Sequence, residues 1–354
     1  MLHVRQADYD FFRCIADKCP ADCCSGWEIY IDDDSLARYE SLPGATGDYL
    51  RDSIDYKNQI FKQKDRRCAL LDESGLCRLQ SAFGEEALCE TCRMFPRHVE
   101  EFDGVREYSL SLSCPVVARQ TLTSQTPLSL LTKEDETPDD FDEFDDLLFD
   151  KLLYAREKIF EICHDRELPL RRRLDLILFG AAKMQEYLDE DRIFEMDSLW
   201  EDMDALEVPE ETFEESRRLY NGLYALERLD RSFIRVLDRT WNVMFDTGEE
   251  SPWDESLDFS RYSDGEALSI AGEQILSSLI YVYFCGGVYD DLIYAKAAFA
   301  VYMVRWLFLF LKTAVLDEPD SDPMETLITI TWRFCRETEN SDRNLQLLED
   351  ILLS

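Results

Sequence analysis

Phe144-Asp145-Asp146-Leu147-Leu148-Phe149-Asp150-Lys151-Leu152-Leu153-Tyr154-Ala155-Arg156-Glu157-Lys158-Ile159 sets Phe144, Leu148, Leu152, Ala155 and Ile159 on one face of a helix. Leu174, Ile177, Leu178 and Ala181 repeat the pattern. Helix-start signals recur downstream. Thr212 with Glu215, and Ser263 with Glu266, fit capping boxes, and Asp322-Pro323-Met324-Glu325 places an N-cap, a first-turn proline and a third-position glutamate in order. The apolar run Ala297–Leu311 is interrupted by Arg305, so it reads as a buried helix rather than a membrane span. Strand signals are few beyond Arg119, and no repeat of fixed period occurs.

Upstream of Phe144 the composition changes. Residues 134–143 form a block of acid with no basic residue, preceded by a Ser, Thr and Pro-rich stretch from Thr121. Residues 121–143 therefore read as a solvated linker. Before it, cysteines crowd together: nine of the twelve lie between Cys14 and Cys114. Cys163, Cys285 and Cys335 each stand alone among apolar neighbours and read as small buried hydrophobes. The fold class expected is mainly α, with an irregular cysteine-rich metal-binding module over residues 1–120 and a larger all-helical domain over residues 144–354.

With 45% apolar residues in 354, the chain has material for a sizeable core. Its formal charge of −37 repels phosphate backbones, which argues against nucleic acid, and draws basic protein surfaces or lysine side chains. Met1 to Asp8 lacks a basic start followed by an apolar stretch, so a cytoplasmic protein without a membrane partner is expected. In that compartment thiols stay reduced, and clustered cysteines point to metal rather than disulfides.

The thiols fall into Cys14-x4-Cys19-x3-Cys23-Cys24 and the set Cys68, Cys77, Cys89-x2-Cys92 and Cys114. Cys89-Glu90-Thr91-Cys92 is a two-ligand knuckle of a kind used by zinc and iron alike. Cys68 to Cys77 is a turn with Gly75 at its tip that brings two sulfurs together. All nine cysteines are metal-ligand candidates. A 4Fe–4S cluster needs four thiolates, as does a structural zinc, and spacing does not choose between them. Vicinal Cys23-Cys24 suits a larger cluster or two separate centres, because adjacent side chains point apart. A Cys-x3-Cys-x2-Cys radical motif is excluded: after Cys19 and Cys23 the next required position is Gly26.

Cys14-x4-Cys19-Pro20-x2-Cys23-Cys24-x2-Trp27, Cys68-x2-Leu71, Gly75-x-Cys77, Leu88-Cys89-x2-Cys92-x2-Phe95-Pro96-Arg97 and Ser109 to Pro115 together resemble the flagellin lysine-N-methylases. More loosely they resemble a group of small zinc- or iron-chelating proteins. The likeness is close over about residues 10–120 and weaker from Tyr281 to Trp306. It implies methylation of lysine ε-amines on flagellin, or another filament or surface protein, with S-adenosylmethionine as donor and an iron–sulfur cluster involved.

On that expectation, Arg97 is a candidate to hold a carboxylate of the cofactor, although capping a turn is the rival role. His98 and His164 are lone imidazoles of ordinary kind. Tyr281, Tyr283, Tyr289, Asp290, Asp291 and Tyr294 form an aromatic and acidic group of the type a lysine ammonium needs. Tyr281, Tyr283 and Asp290 are the catalytic candidates, since a lysine methyltransferase must also remove a proton. Tyrosines packed into the core are the more ordinary explanation of the same pattern. The rival function is a non-enzymatic metal-binding module that recognises a basic partner.

Overall fold

The computed structural model describes residues 1–21, 23–138, 144–201, 203, 207–246 and 252–354. Residues 139–143 of the expected linker lie outside them. The chain opens on strand β1 (Leu2–Gln6) and then enters a lobe of short elements. These are α1 (Asp33–Glu40), α2 (Gly44–Asp52), the two-residue strand pairs β2 (Ile54–Asp55) with β3 (Ile60–Phe61) and β4 (Gln63–Lys64) with β5 (Arg67–Cys68), α3 (Arg78–Phe83) and α4 (Glu90–Met94). It returns through the hairpin β6 (Arg97–Phe102) and β7 (Val105–Leu110), helix α5 (Pro115–Leu122) and strand β8 (Leu130–Glu134). The remainder is helical: α6 (Asp146–His164), α7 (Leu170–Asp189), α8 (Met196–Leu199), α9 (Phe213–Gly222), α10 (Ile234–Met244), α11 (Pro252–Ser256), α12 (Gly265–Tyr283), α13 (Ile293–Asp317), α14 (Pro323–Glu339) and α15 (Asp342–Leu353). The fold is mainly α, as the periodicity indicates.

The four longer strands form one sheet in the order β6-β7-β1-β8. β1 runs parallel to β7 and antiparallel to β8, pairing Leu2 with both Val105 and Glu134. This corrects the linker reading: α5 extends to Leu122, and residues 130–134 are an edge strand. The expected boundary near residue 120 also differs from the packing. Phe12, Phe102, Leu110, Leu112, Val117 and Leu122 belong to the same core as the helices. The second core is confined to the lobe between Cys24 and Cys92 and holds Ile29, Ile31, Tyr39, Leu50, Ile54, Phe61, Leu70 and Leu79. The cysteine lobe is thus an excursion from a larger body that owns both the sheet and the long helices.

The body is organised around α13, which is buried on nearly all sides. Residues Gly265–Val288 and Ile293–Asp317 are long and apolar enough to cross a membrane, but 83% of each apolar window is buried inside the protein. Arg305, the charge that interrupts α13, is paired internally. Its guanidinium pairs with Asp175 of α7 and with Glu211, and stacks near the Trp253 and Tyr302 rings. Leu148, Leu152, Ala155 and Ile159 of α6 and Leu174, Ile177 and Ala181 of α7 are fully buried. Cys163, Cys285 and Cys335 are buried too, and burial pushes the first two thiols up to about 12.

The helix starts divide. Thr212 and Glu215 form a reciprocal capping box on α9, and Asp322 caps α14 ahead of Pro323. Ser263 and Glu266 do not cap α12, which begins at Gly265 with Asp264 at the N-cap and no side-chain capping bond. Thr212→Ala removes the acceptor for the Glu215 amide and should cost about 1 kcal/mol. A shift in the thermal unfolding midpoint read by circular dichroism checks this; an unchanged midpoint means the cap contributes nothing.

Candidate metal centre and cleft

Asp32 sets the geometry of the lobe. One carboxylate oxygen caps α1 through the Ser35 amide at 2.9 Å, and the other accepts from the Glu90 amide at 2.8 Å. The start of α4 is thereby fastened to the start of α1, and against the opposing effect of burial the hydrogen bonds from Glu90 and Ser35 hold the Asp32 carboxyl below the usual carboxylate range. Arg38 and Tyr39 of α1 hold the preceding turn, donating to the Leu88 carbonyl at 3.1 Å and the Ala87 carbonyl at 2.9 Å. The knuckle Cys89–Cys92 is therefore rigidly presented, and the Cys89 sulfur sits 3.6 Å from the Tyr30 carbonyl oxygen.

Two further connections bring other thiols to it. The Cys68 amide bonds to the Cys24 carbonyl at 3.3 Å, and Leu71 bridges to Cys77 across the turn tipped by Gly75, whose φ of +83° requires a residue without a side chain. The Asp72 carboxylate holds that turn by accepting from the Ser74 and Leu76 amides. Cys24 shares hydrogen bonds with Cys23 and Cys68, and Cys92 with Cys89. Cys24 and Cys92 are pushed up by the thiols they bond to and by burial, while Cys68 and Cys89 are drawn down by the same bonds.

Cys23, Cys24, Cys68, Cys77, Cys89 and Cys92 are thus mutual neighbours. Cys14, Cys19 and Cys114 form a second group, within electrostatic reach of one another, with Cys19 also sensing Cys23. Cys114 is buried at the N-cap of α5, and burial raises its thiol to about 11. The nine cysteines singled out in the sequence converge as two adjoining sets. Among the described residues, no group of three or more His, Cys, Asp and Glu side chains is arranged to hold a single metal ion. The donor chemistry is all thiol, which suits a soft centre.

Beside the thiols lies a cleft of about 1160 Å³ between the lobe and the body. Gly26 is part of its lining. Arg336 of α14 donates to the Ser25 carbonyl at 2.7 Å, and Gly26 (φ +93°) lies so close to Leu229 that a Cβ would sit 3.1 Å from its carbonyl oxygen. Trp27, Tyr30 and Phe95 line the lobe side. Tyr283, Glu339, Asn340 and Asp342 line the body side, with His98 and Glu100 from the sheet and Ser111 just after it.

The candidate residues separate here. Arg97 lines the cleft, with its guanidinium over the Tyr9 and Phe12 rings at 5.8 and 5.3 Å. Tyr283 lines it as well, packed edge-on to Phe299, and burial raises its phenol well above the ordinary value. Tyr281 does not reach it. It is 1% exposed, its hydroxyl donates to the Val4 carbonyl, and its ring lies under Arg156. Asp290 is a surface residue paired with Lys296 at 2.6 Å. On a helix, Tyr281 and Tyr283 lie on different faces, and only one of them faces the cleft.

Two cleft residues escaped sequence reasoning. Glu339 Oε1 and Asn340 Nδ2 are both shielded from solvent and have no hydrogen-bond partner. Burial raises the Glu339 carboxyl to about 7, against support from Cys335, Ser111, His98 and the Leu112 amide. No signal marked Glu339 in a chain so rich in acid.

A mainly α body carrying an excursion of clustered thiols, with an acidic and aromatic cleft at their junction, defines a cysteine-centred class of protein. The chain is 32% identical over 136 residues to the flagellar biosynthetic protein FliU of Salmonella muenchen, covering 35% of this chain and 78% of that protein. It is 30% identical over 135 residues to the lysine-N-methylases of Salmonella typhimurium and Salmonella choleraesuis, covering 34% of this chain. The chain belongs to the flagellin lysine methylase family. The match spans 33% of the length of those lysine-N-methylases. No family model and no solved structure matches the chain.

Proposed function

We propose that this protein methylates lysine side chains of flagellin, using S-adenosylmethionine, in the cleft between the cysteine lobe and the helical body. The observation that carries the reading is the cleft itself. It puts carboxylates at Glu100, Glu339 and Asp342 beside the rings of Trp27, Phe95 and Tyr283. Carboxylates and aromatic faces together are what stabilises an alkylammonium ion. Membership of a family whose curated relatives are named for flagellar biosynthesis and lysine methylation supports the same assignment. The formal charge of −37 favours approach of a cationic side chain, an attraction that salt weakens. A cytoplasmic location fits both the reduced thiols and a subunit modified before export.

The thiols of Cys23, Cys24, Cys68, Cys77, Cys89 and Cys92 are the residues that would hold a 4Fe–4S cluster, with zinc the other occupant their chemistry allows; Cys14, Cys19 and Cys114 adjoin them. Such a cluster supplies a soft, electron-rich iron centre with affinity for amino and carboxylate groups. The chain's own groups do the rest. Arg97 stands in the cleft as the cation for a donor carboxylate. The rings of Trp27 and Phe95, 6.4 Å apart, exclude water from one wall.

Anaerobically prepared protein incubated with labelled S-adenosylmethionine and flagellin should place label on lysine, mapped by mass spectrometry. The rate should fall with added salt and rise with pH as the bound amine loses its proton. No label in lysine, together with no binding of S-adenosylmethionine, would leave a metal-bearing module that recognises a basic partner as the better account.

A further inference from the structure

Glu339 and Asn340 are consecutive at the end of α14, both face the cleft, and each carries a solvent-shielded polar atom without a partner. Buried polar atoms in native proteins are almost always satisfied, so two orphans side by side on a cleft wall mark a place where a ligand completes the bonding. The two orphans differ in kind. Glu339 Oε1 is an acceptor and needs a donor; Asn340 Nδ2 is a donor and needs an acceptor. A ligand offering an amine and a carbonyl matches both, and a lysine residue within a peptide is such a ligand.

We propose that Glu339 takes the ε-ammonium of the substrate lysine and accepts its proton, while Asn340 donates a hydrogen bond to a backbone carbonyl of the substrate segment. This rests on the lysine-methylation reading and deepens it. Of the cleft's described carboxylates, Glu339 is the one with a shielded oxygen that lacks a donor. His98 of β6 is occupied by Glu100, its Nε2 lying 2.8 Å from Oε1. Glu227 accepts from Ser341 at 2.6 Å. Cys335, one turn earlier on α14, is a buried thiol pushed well above its ordinary value. Tyr283 of α12 is likewise held protonated by burial, and it also senses Glu100 and Asp342. Ser111, from the turn after β7, and the Leu112 amide support the carboxyl without neutralising it.

The chemistry balances. The Glu339 carboxylate removes one proton from the lysine ammonium, leaving a neutral amine and a carboxylic acid. The amine lone pair then forms an N–C bond to the methyl carbon of the sulfonium donor. The C–S bond breaks with its electron pair going to sulfur, which gives a methylammonium and a neutral thioether. A carboxyl raised to about 7 suits the proton step, since it is ionised above that pH yet basic enough to compete for the proton.

The test compares wild type, Glu339→Gln, which keeps the shape and loses the base, Glu339→Asp, which keeps the base, and Asn340→Ala. All are full-length proteins prepared without oxygen. The first readout is binding, by calorimetry, of a blocked Gly-Lys-Gly peptide against the same peptide with norleucine for lysine. Wild type and Glu339→Asp should favour lysine, and Glu339→Gln should lose the preference by about tenfold or more. Asn340→Ala should weaken both peptides alike. The second readout is flagellin methylation. Glu339→Gln should lower kcat about 100-fold, with a smaller change in KM, and lose the rise in rate through about pH 7 that Glu339→Asp retains. Equal binding of the two peptides by wild type, or an unchanged pH profile in Glu339→Gln, overturns the inference. Absence of methylation with the lysine preference intact and Glu339-dependent would sink the enzymatic reading and leave the lysine site standing.

Discussion

Replacing Cys89 and Cys92 together by serine should unfold residues 24–92, while the long helices keep their circular dichroism. The reason lies in the size of the second core. Its buried residues include Cys68 and Cys89 themselves, and its secondary structure is limited to two-residue strand pairs and helices of nine residues or fewer. A segment of this size rarely buries enough apolar surface to order itself without a staple. Thiolate ligation of the proposed centre would supply one, and in small domains such ligation accounts for about 10 kcal/mol of folding free energy. The body has its own core around α13 and does not depend on it. Limited proteolysis of wild type and variant, with iron, sulfide and zinc assayed on the same samples, decides the matter. A lobe that stays protease-resistant after complete removal of metal would falsify this dependence.

Arg156→Met is the second large effect, expected to destabilise the body by about 3–5 kcal/mol. Arg156 of α6 and Glu107 of β7 are 6% and 4% exposed, joined by two bonds of 2.7 and 2.5 Å. The guanidinium also donates to the Tyr281 carbonyl at 3.3 Å, at the end of α12. One cation therefore fastens the sheet to two helices. Removing it leaves the Glu107 carboxylate buried without compensation, which is costlier than the net contribution of the pair. Glu107→Leu added to Arg156→Met should recover most of the loss. Urea unfolding of the three proteins provides the measurement, and a single variant as stable as the double one would show that Glu107 finds water or another donor.

What the sequence disclosed depends on how local the signal is. Leu148, Leu152, Ala155 and Ile159 announced α6 because one buried helix face repeats within a few residues. The turn between Cys68 and Cys77, and the knuckle at Cys89, were legible for the same reason. The sheet was not. β1 is five residues long and its partners lie about a hundred residues away, and β8 is largely exposed, so neither carries a run of apolar alternation. Of the candidates picked from the sequence, Arg97 and Tyr283 line the cleft. Tyr281 and Asp290 lie away from the cleft, because composition identifies a tyrosine-rich helix end without saying which face is turned inward. Glu339 could be recognised only by what surrounds it, since burial and missing partners leave no mark on a sequence of 75 acidic residues.

The place of β1 in the sheet has a bearing on how the chain is made. Leu2 to Arg5 lie between Val105 to Tyr108 on one side and Leu131 to Glu134 on the other. During synthesis the first strand leaves the ribosome with neither neighbour in existence, and it stays unpaired until β7 has followed. Everything from Tyr9 to Arg97, including eight of the nine clustered thiols, emerges in that interval. Closing so long a loop adds little entropy over a shorter one, about 0.6 kcal/mol for each doubling of length, so the delay is one of order rather than of stability. The thiol lobe, whose core is its own, is therefore complete on the nascent chain before the sheet shuts and the cleft takes shape.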